Sequence, residues 1–351
     1  MRENPGPDAE LRRLERNPRR AKPWTVIAGT GSSTPRKILS NMDLERIVDT
    51  TDEWILKRTG IRERRISMNG GTETVAGMAT LAALKAMEMA GITPKNLDLI
   101  VVGTVTPDRQ FPSVACMVQN ELCATNAAAF DISAGCSGFL YGLDVANNAI
   151  RSGGCRTALV VGAERLSSVL NWQDRSTCVL MGDGAGAVVL TATSKEEGIL
   201  STHLKSDGKF WDLLYCSEGN SPVPEMLRGI HSSPFHLRMD GHRLFKKAVE
   251  CLSSIAREAL DHNSLSSEEV ALVIPHQANL RILLAMARSM NIPMERVYTN
   301  LQTYGNTSSA SIPIALDEAN RKGVLRKATH VLLVSFGAGL TWGASLIRWF
   351  L

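Results

Sequence analysis

Apolar residues along this chain fall into short runs that read as strands, separated by stretches in which they recur at three-to-four spacing and read as helices. The strand-like runs begin with TVIAGTGSSTP near 25–35 and continue through LIVVGTVTP (99–107), AAFDI (128–132), CRTALVVGAE (155–164) and GDGAGAVVLTAT (182–193). A second series runs through GILSTHLKSDG near 198–208, ALVIPHQAN (271–279), ATHVLLVSFGAG (328–339) and LTWGASLIRWF (340–350). Helical patterns occupy AALKAMEMAGITPKNLD (82–98), SGFLYGLDVANNAI (137–150), SSIAREALDHNSLSSEEV (253–270) and LDEANRKG (316–323). Strands followed by helices predict an α/β protein, with two similar mixed sheets sandwiching helices.

The two series align. Helix 82–98 and strand 99–107 correspond to helix 253–270 and strand 271–279, and AAFDISAGCSGF (128–139) corresponds to VYTNLQTYGNTSS (297–309). The offset between Cys136 and Asn306 is 170 residues, and strands 155–164 and 328–339 keep nearly the same offset. A constant offset over successive elements is the mark of a duplication. The predicted organisation is a polar extension at 1–22, a half spanning 23–195 and a second half spanning 196–351. The polar junction KEEG (195–198) is too short to make them independent, mobile domains. Residues 205–240, rich in Ser, Gly and Pro, read as a loop or lid beside the site or as surface decoration.

Composition narrows the function. With 351 residues, 44% of them hydrophobic, the chain can bury its own core without disulfides or metal. Its seven cysteines form no C-x-x-C pair and its histidines no H-E-x-x-H, so neither a disulfide framework nor a metal site is expected, and a reducing cytoplasm is. The net charge of +4 is partly local: residues 1–22 hold seven basic and four acidic groups without an apolar segment, unlike a signal or transit peptide. No long apolar run suggests a membrane span, and no nucleic-acid motif accompanies the basic tail.

Cys136 is the leading candidate for chemistry. It lies in DISAGCSGF, where a strand enters a glycine-flanked turn and a helix with Phe139, Leu140, Leu143, Ala146 and Ile150 on one face. Unpaired N–H groups and the positive helix end favour a thiolate there, although buried cysteines are commonly inert. His276 in VIPHQAN and Asn306 in TYGNTSSAS would meet Cys136 if the halves pack with pseudo-twofold symmetry. Such a set suits acyl transfer through a carbanion: the thiolate takes the acyl group, and imidazole and amide N–H groups donate to an enolate oxygen as a malonyl carboxylate leaves as CO2. In a Cys-His-Asn protease the histidine is instead the base of the cysteine, and these residues alone do not choose between the two. His276 also fits a structural core residue, but Gln277 and Asn279 crowd polar groups onto its turn; Asn306 also fits a helix cap. GDGAGA (182–187) and FGAGLTWG (336–343) each precede a strand, unlike dinucleotide loops. The 336–339 turn is read as half of an oxyanion hole, through Ala338, with the N–H of Cys136 as the other half.

DTTDEWILKRTGIRERR (49–65), FPSVAC (111–116), GCSGF, GDGAGA, PHQANLRI (275–282), YGNTSSASIP (304–313) and FGAGLTWG together resemble 3-oxoacyl-[acyl-carrier-protein] synthase III over residues 25–350. The resemblance implies a thiolase-like fold, five-layered αβαβα with two duplicated halves, acting as a homodimer. It implies that Cys136 is acylated by a short acyl-CoA, acetyl-CoA being the expected primer, and that His276 and Asn306 promote decarboxylation of malonyl-[acyl-carrier-protein]. Coenzyme A thioester would be a substrate, with no separate cofactor. Trp54 would stack on the adenine, with Thr50, Arg58 and Arg175 around the nucleotide and Asn279 in the pantetheine tunnel. Phe111 would reach the acyl pocket of the partner subunit, and Phe336 would line an acyl pocket. Lys246 and Arg281 would belong to a basic patch that meets an acidic acyl carrier protein. The chain departs from the usual pattern at Gly135, where alanine is common, and at Ala338, where glycine is common; a positive φ at 338 would strain alanine. A thiolase would carry a second cysteine near 335–343, where there is none. A starter-unit condensing or acyltransfer enzyme of specialised metabolism is the nearest alternative, and a noncatalytic partner subunit a more distant one.

Overall fold

Two mixed sheets organise the computed structural model, which describes residues 22–68, 73–216 and 236–351. The extension predicted at 1–22, apart from Lys22, and the middle of the 205–240 segment lie outside the described residues. The first sheet contains β1 (Trp24–Ser33), β2 (Leu99–Gly103), β3 (Ala128–Ile132), β4 (Thr157–Arg165) and β5 (Asp183–Thr193), in the order β1-β5-β4-β2-β3. The second contains β6 (Gly198–Ser206), β7 (Val270–Pro275), β8 (His330–Gly337) and β9 (Thr341–Arg348), in the order β6-β9-β8-β7. The orders coincide strand for strand. β2 and β4 are parallel as β7 and β8 are, and β5 and β9 each run antiparallel to both neighbours. The place of β3 is taken in the second sheet by a single parallel bridge between Val273 and Val297. The 170-residue offset in the sequence is therefore a repeated topology.

Seven longer helices fill the layers: α1 (Asp52–Thr59), α2 (Val75–Ala90), α3 (Val114–Leu122), α4 (Gly138–Arg151), α5 (Gly241–His262), α6 (Leu280–Ser289) and α7 (Ser311–Arg321). Alternation along the central strands decides which helix covers which face. Val102, Val161 and Val189 turn outward against Ala79, Ala83 and Val118 of α2 and α3. Val101 and Val160 turn inward, as do Ile274 and Leu333 of the second sheet, and together they enclose Phe139 and Leu143 of α4 and Ala315 and Leu316 of α7. Leu332, Val334 and Leu346 face Leu252, Ile255 and Met286 of α5 and α6. The result is a five-layered αβαβα sandwich whose middle layer is shared by both halves. Each leucine buried there contributes about 1.5–3 kcal/mol. Asp317 of α7 ties the halves further, accepting from Thr30 Oγ1 (2.8 Å) and Ser32 Oγ (2.6 Å) of β1 and from Arg321 Nε (2.8 Å).

Element boundaries differ from the sequence expectation for local reasons. The helix expected at 82–98 runs instead over Val75–Ala90: the Thr74 side chain caps its start, and Gly91, at φ 65°, stops it. The helix expected at 253–270 starts at Gly241 under an Asp240 cap and ends at His262. The strand expected over 271–279 ends at Pro275, which leaves His276 at the strand terminus. Within 205–240, Leu214–Cys216 pairs antiparallel with Leu237–Met239. This ribbon packs through Leu214, Leu237 and Met239 into a cluster with Trp54, Ile55, Val179, Leu280 and Leu283.

Candidate active site

Cys136 occupies a short 3-10 turn, Gly135–Ser137, between β3 and α4. Gly135 has φ 54°, and a side chain there would put its Cβ 2.7 Å from Ala338 N and 2.8 Å from Ala338 O. A Cβ on Gly337, at the end of β8, would come within 2.4 Å of Cys136 N. The Cys136 turn of one half and the strand-end turn of the other are thus in backbone contact, which only residues without a Cβ at these points permit. Ala338 is not among the residues with positive φ; Gly339, at φ 130°, carries that conformation, so the strain feared for alanine does not arise.

The Cys136 sulfur receives the Ser308 hydroxyl, its own N–H and the Ala338 N–H. Those donors favour the thiolate, as expected of a thiol ahead of a helix. Burial outweighs them, and the thiol is pushed up to about 12, with Glu164 adding to the rise. Before substrate arrives the resting sulfur is therefore a thiol: the donors and helix end favour the thiolate as expected, but burial prevails. The residue keeps partial solvent access.

Asn306 is pinned by its backbone to the 180–182 turn, through Asn306 N to Leu180 O (2.8 Å) and Gly182 N to Asn306 O (2.9 Å). Its Oδ1 accepts from Ser308 N at 2.8 Å. The contact is a local side-chain turn rather than a helix cap, since the helices that start at Ser308 and Ser311 follow Thr307 and Ala310 with no side-chain cap; it uses the oxygen, leaving Nδ2 as a donor. Ser308, the residue so held, has φ 48°, a conformation serine seldom adopts and one that clusters at functional sites.

His276 lies just past β7, its N–H bonded to Val334 O at 2.8 Å. Its ring is buried, which pushes its pKa down to about 3, so it is neutral at physiological pH. Nδ1 lies 2.6 Å from Ser311 Oγ, and that oxygen also accepts from Gln277 N at 3.3 Å. Where the Ser311 hydroxyl donates to Nδ1, the imidazole proton resides on Nε2. Gln277 is fully used: it donates to Pro275 O and Tyr298 O and accepts from Asn300 N. Cys136, His276 and Asn306 thus meet around one segment, 306–311.

Sequence reasoning missed three members of this site. Ser308 and Ser311 were hidden in a Ser/Thr run that reads as a cap. Glu164, at the end of β4, is fully buried, with hydroxyls of Thr106 (2.5 Å), Ser309 (3.0 Å) and Ser308 (3.1 Å) around it. The available signal was a carboxylate closing an apolar strand, CRTALVVGAE.

The other expected residues form separate groups. Arg58 and Arg175 stand over the Trp54 ring at 5.6 and 4.7 Å, and Arg175 donates to Asp49 O beside Thr50, whose buried Oγ1 has no partner among the described residues. Asn279 caps α6 through Oδ1 to Arg281 N at 2.9 Å, and the adjoining Leu280 packs against Gly60 at the end of α1. It therefore lies between the Trp54 group and His276. Lys246 and Arg281 are exposed on α5 and α6, with Arg281 over Phe245 at 5.7 Å. Phe111 is 84% exposed and distant in role from the buried thiol of its own chain. Phe336 does not face the middle layer; it is buried with Leu340 and Ala344 beneath α5.

A thiol under two N–H donors, opposite a neutral imidazole and a free amide at the junction of duplicated halves, defines a condensing acyltransferase of the thiolase fold. Family comparison agrees in detail. Residues 130–208 match 3-oxoacyl-[acyl-carrier-protein (ACP)] synthase III, and residues 260–349 match the C-terminal region of the same family. Beta-ketoacyl-[acyl-carrier-protein] synthase III of Aquifex aeolicus is 49% identical over 325 residues, covering 93% of this chain and 99% of that protein. The crystal structure of 3-oxoacyl-[acyl-carrier-protein] synthase III from Aquifex aeolicus superimposes with a TM-score of 0.86 at 48% identity, over 93% of this chain and all of that one. The priming beta-ketosynthase of the R1128 polyketide biosynthetic pathway gives 0.87 at 36% identity, over 94% and 97% of the two chains. The chain belongs to the 3-oxoacyl-[acyl-carrier-protein] synthase III family. The reaction is condensation of an acyl-CoA with malonyl-[acyl-carrier-protein] to 3-oxoacyl-[acyl-carrier-protein], which initiates fatty-acid synthesis.

Proposed function

We propose that the reaction runs through acyl-Cys136 with a short primer such as acetyl-CoA, and that His276 and Asn306 serve only the second half-reaction. The observation that carries this reading is the 2.6 Å contact of the buried His276 Nδ1 with Ser311 Oγ: with Nδ1 taken to accept from that hydroxyl, the neutral ring presents Nε2–H as a donor rather than a base. In the first half-reaction the sulfur attacks the thioester while the N–H groups of Cys136 and Ala338 receive the carbonyl oxygen, and CoA leaves. In the second, Nε2–H of His276 and Nδ2–H of Asn306 bind the malonyl thioester oxygen. Charge that develops there as CO2 departs is stabilised, and the resulting enolate attacks acyl-Cys136.

Trp54, Thr50, Arg58 and Arg175 are proposed to hold the nucleotide of CoA, and Asn279 the pantetheine arm. The exposed Lys246 and Arg281 supply positive charge for an acidic carrier protein. The exposure of Phe111 supports a homodimer in which it enters the acyl pocket of the partner. Phe336, buried away from the middle layer, retains only an indirect part in shaping the acyl site. The two halves are taken as 23–195 and 196–351. Among the described residues no helix is long and apolar enough to cross a membrane, and all seven cysteines are free, in keeping with a cytoplasmic enzyme.

Intact-protein mass spectrometry after exposure to acetyl-CoA should show one acyl group, lost in Cys136→Ala. His276→Ala and Asn306→Ala should still acylate while malonyl decarboxylation falls by about 10²–10³-fold. Equal loss of both half-reactions would reject the division of labour. The likeness to a priming beta-ketosynthase supports a second reading, in which the primer feeds a specialised pathway. A panel of acyl-CoAs distinguishes the two by whether acetyl or a longer acyl group is transferred fastest.

A further inference from the structure

Attack on a thioester requires the Cys136 thiol to lose its proton, and in the tautomer proposed above His276 does not take it: its Nδ1 is engaged by Ser311, and its Nε2 carries hydrogen. The group that does contact the sulfur is the Ser308 hydroxyl. On its far side, 3.1 Å away, is Glu164 Oε1.

The surroundings of Glu164 are unusual for a buried carboxylate. Among the described residues it meets no cation in its hydrogen-bonding shell, only the hydroxyls of Thr104 (3.3 Å), Thr106 (2.5 Å), Ser308 and Ser309 (3.0 Å) and the N–H of Val105 (3.1 Å). Ser309 has an alternative acceptor in Gly103 O at 2.7 Å. Thr106 Oγ1 accepts from Arg165 N, so its own hydrogen is directed at Glu164. Arg165, the next residue of β4, exerts its charge on Asp183. Cys136 is the titratable neighbour in electrostatic contact, and His276 stands beyond Ser311. The hydroxyl and N–H donors favour its carboxylate before acylation, and desolvation makes that carboxylate a stronger base than an exposed one. Burial accordingly raises its pKa.

We propose that Glu164 takes up the Cys136 proton through Ser308 and holds it between the two half-reactions. This rests on the reading of Cys136 as the acylated nucleophile. As sulfur attacks the acyl-CoA carbonyl, the S–H proton passes to Ser308 Oγ and the Ser308 proton passes to Glu164. The S–C bond forms, the C–S bond to CoA breaks, and CoA departs as a thiolate that is protonated by solvent. The enzyme then contains acyl-Cys136 and a neutral Glu164. When the enolate formed by decarboxylation attacks the acyl group, Cys136 is expelled as a thiolate. It recovers its proton from Glu164 by the same path, and the starting state is restored. The proton count closes with no redox partner, and the site carries one negative charge less during decarboxylation, when an anionic substrate must approach. The strained backbone of Ser308, held by Asn306 Oδ1, keeps the relay hydroxyl in line.

The test is rapid-quench acylation by acetyl-CoA, read by intact mass from pH 6 to 9, alongside malonyl-carrier-protein decarboxylation by enzyme acylated beforehand. Glu164→Gln keeps the shape and removes the proton acceptor. Its acylation rate should fall by about 10²-fold and rise with pH across the whole range, as base from solvent takes over, while decarboxylation changes by much less. Ser308→Ala breaks the relay and leaves the other donors to Glu164 in place. It should reproduce the selective loss, and it decides the matter if Glu164→Gln does not fold. Equal loss in both half-reactions, or unchanged acylation in Ser308→Ala, overturns the proposal. So does faster acylation in Glu164→Gln, which would mean that the carboxylate acts only by repelling the thiolate. Failure of the unmodified protein to acylate at Cys136 would instead reject the underlying reading.

Discussion

At the scale of single residues, the site is governed by who donates to whom. The Ser311 hydroxyl contacts both Gln277 N–H and His276 Nδ1, and in the proposed tautomer it donates to Nδ1 and leaves the ring hydrogen on Nε2. Ser311→Ala removes that instruction without touching substrate. The freed Nδ1 is then able to carry the proton, leaving Nε2 as an acceptor toward the enolate oxygen, the wrong polarity for stabilising negative charge. Decarboxylation should fall by about tenfold or more, in line with a lost charge-assisted hydrogen bond of about 1.5–3 kcal/mol, while acylation of Cys136 is retained. Single-turnover measurement of both steps checks this, and equal effects on them would refute it. Cys136, His276 and Asn306 could be proposed from the sequence because each places a polar or reactive group in a turn next to apolar runs. Ser311 was not, because a serine at a helix start reads as a cap whether or not it orients a histidine. Glu164 was overlooked because its partners come from residues 104–106 and 308–309, which only the fold brings together.

At the scale of elements, the turn between β3 and α4 and the turn after β8 behave as one unit. Gly135 takes the left-handed conformation, and the backbone of Ala338 lies in the space a side chain would need. Gly135→Ala should cost about 1–2 kcal/mol for the backbone alone, with further cost from displacing Ala338. Because the displaced atoms include the Ala338 N–H, the proposed second oxyanion donor, acylation should suffer more than the melting temperature indicates. Parallel measurement of thermal unfolding and acylation rate checks this; a loss of stability with normal acylation would contradict it. The order of strands and helices was readable from periodicity, since β2 and β4 are continuous apolar runs, as strands buried on both faces must be. Boundaries were less so. The apolar face expected over 82–98 continued through Gly91 and Pro94, which stop the helix, and the earlier start at Val75 depends on a cap at Thr74.

At the scale of the molecule, the duplication explains why chemistry sits where it does. Equivalent turns of the two halves, one with Cys136 and the other with Asn306, meet at the pseudo-symmetric junction, which brings the proposed nucleophile to its proposed donors. The repeat was visible as an offset in sequence, whereas its consequence, a middle layer in which α4 and α7 share one core, depends on packing. That shared core predicts a single cooperative unfolding transition, and His276 at the junction gives it a pH signature. Burial holds the folded-state pKa of His276 near 3, below its ordinary value of 6.5. The unfolded chain therefore binds a proton that the folded one refuses as pH falls below 6.5. The contribution is absent above 6.5 and destabilises by about 1.4 kcal/mol per pH unit between there and 3. Carboxyls with raised values, Glu164 and Asp183, act in the opposite direction and remain in both proteins when wild type is compared with His276→Asn. The stability of wild type relative to His276→Asn should thus decline on acidification from pH 6.5 to 4.5, with one transition at every pH. Denaturant titration at several pH values measures both quantities. A constant difference would mean that the imidazole is protonated in the fold, and two transitions would mean that the halves come apart before they unfold.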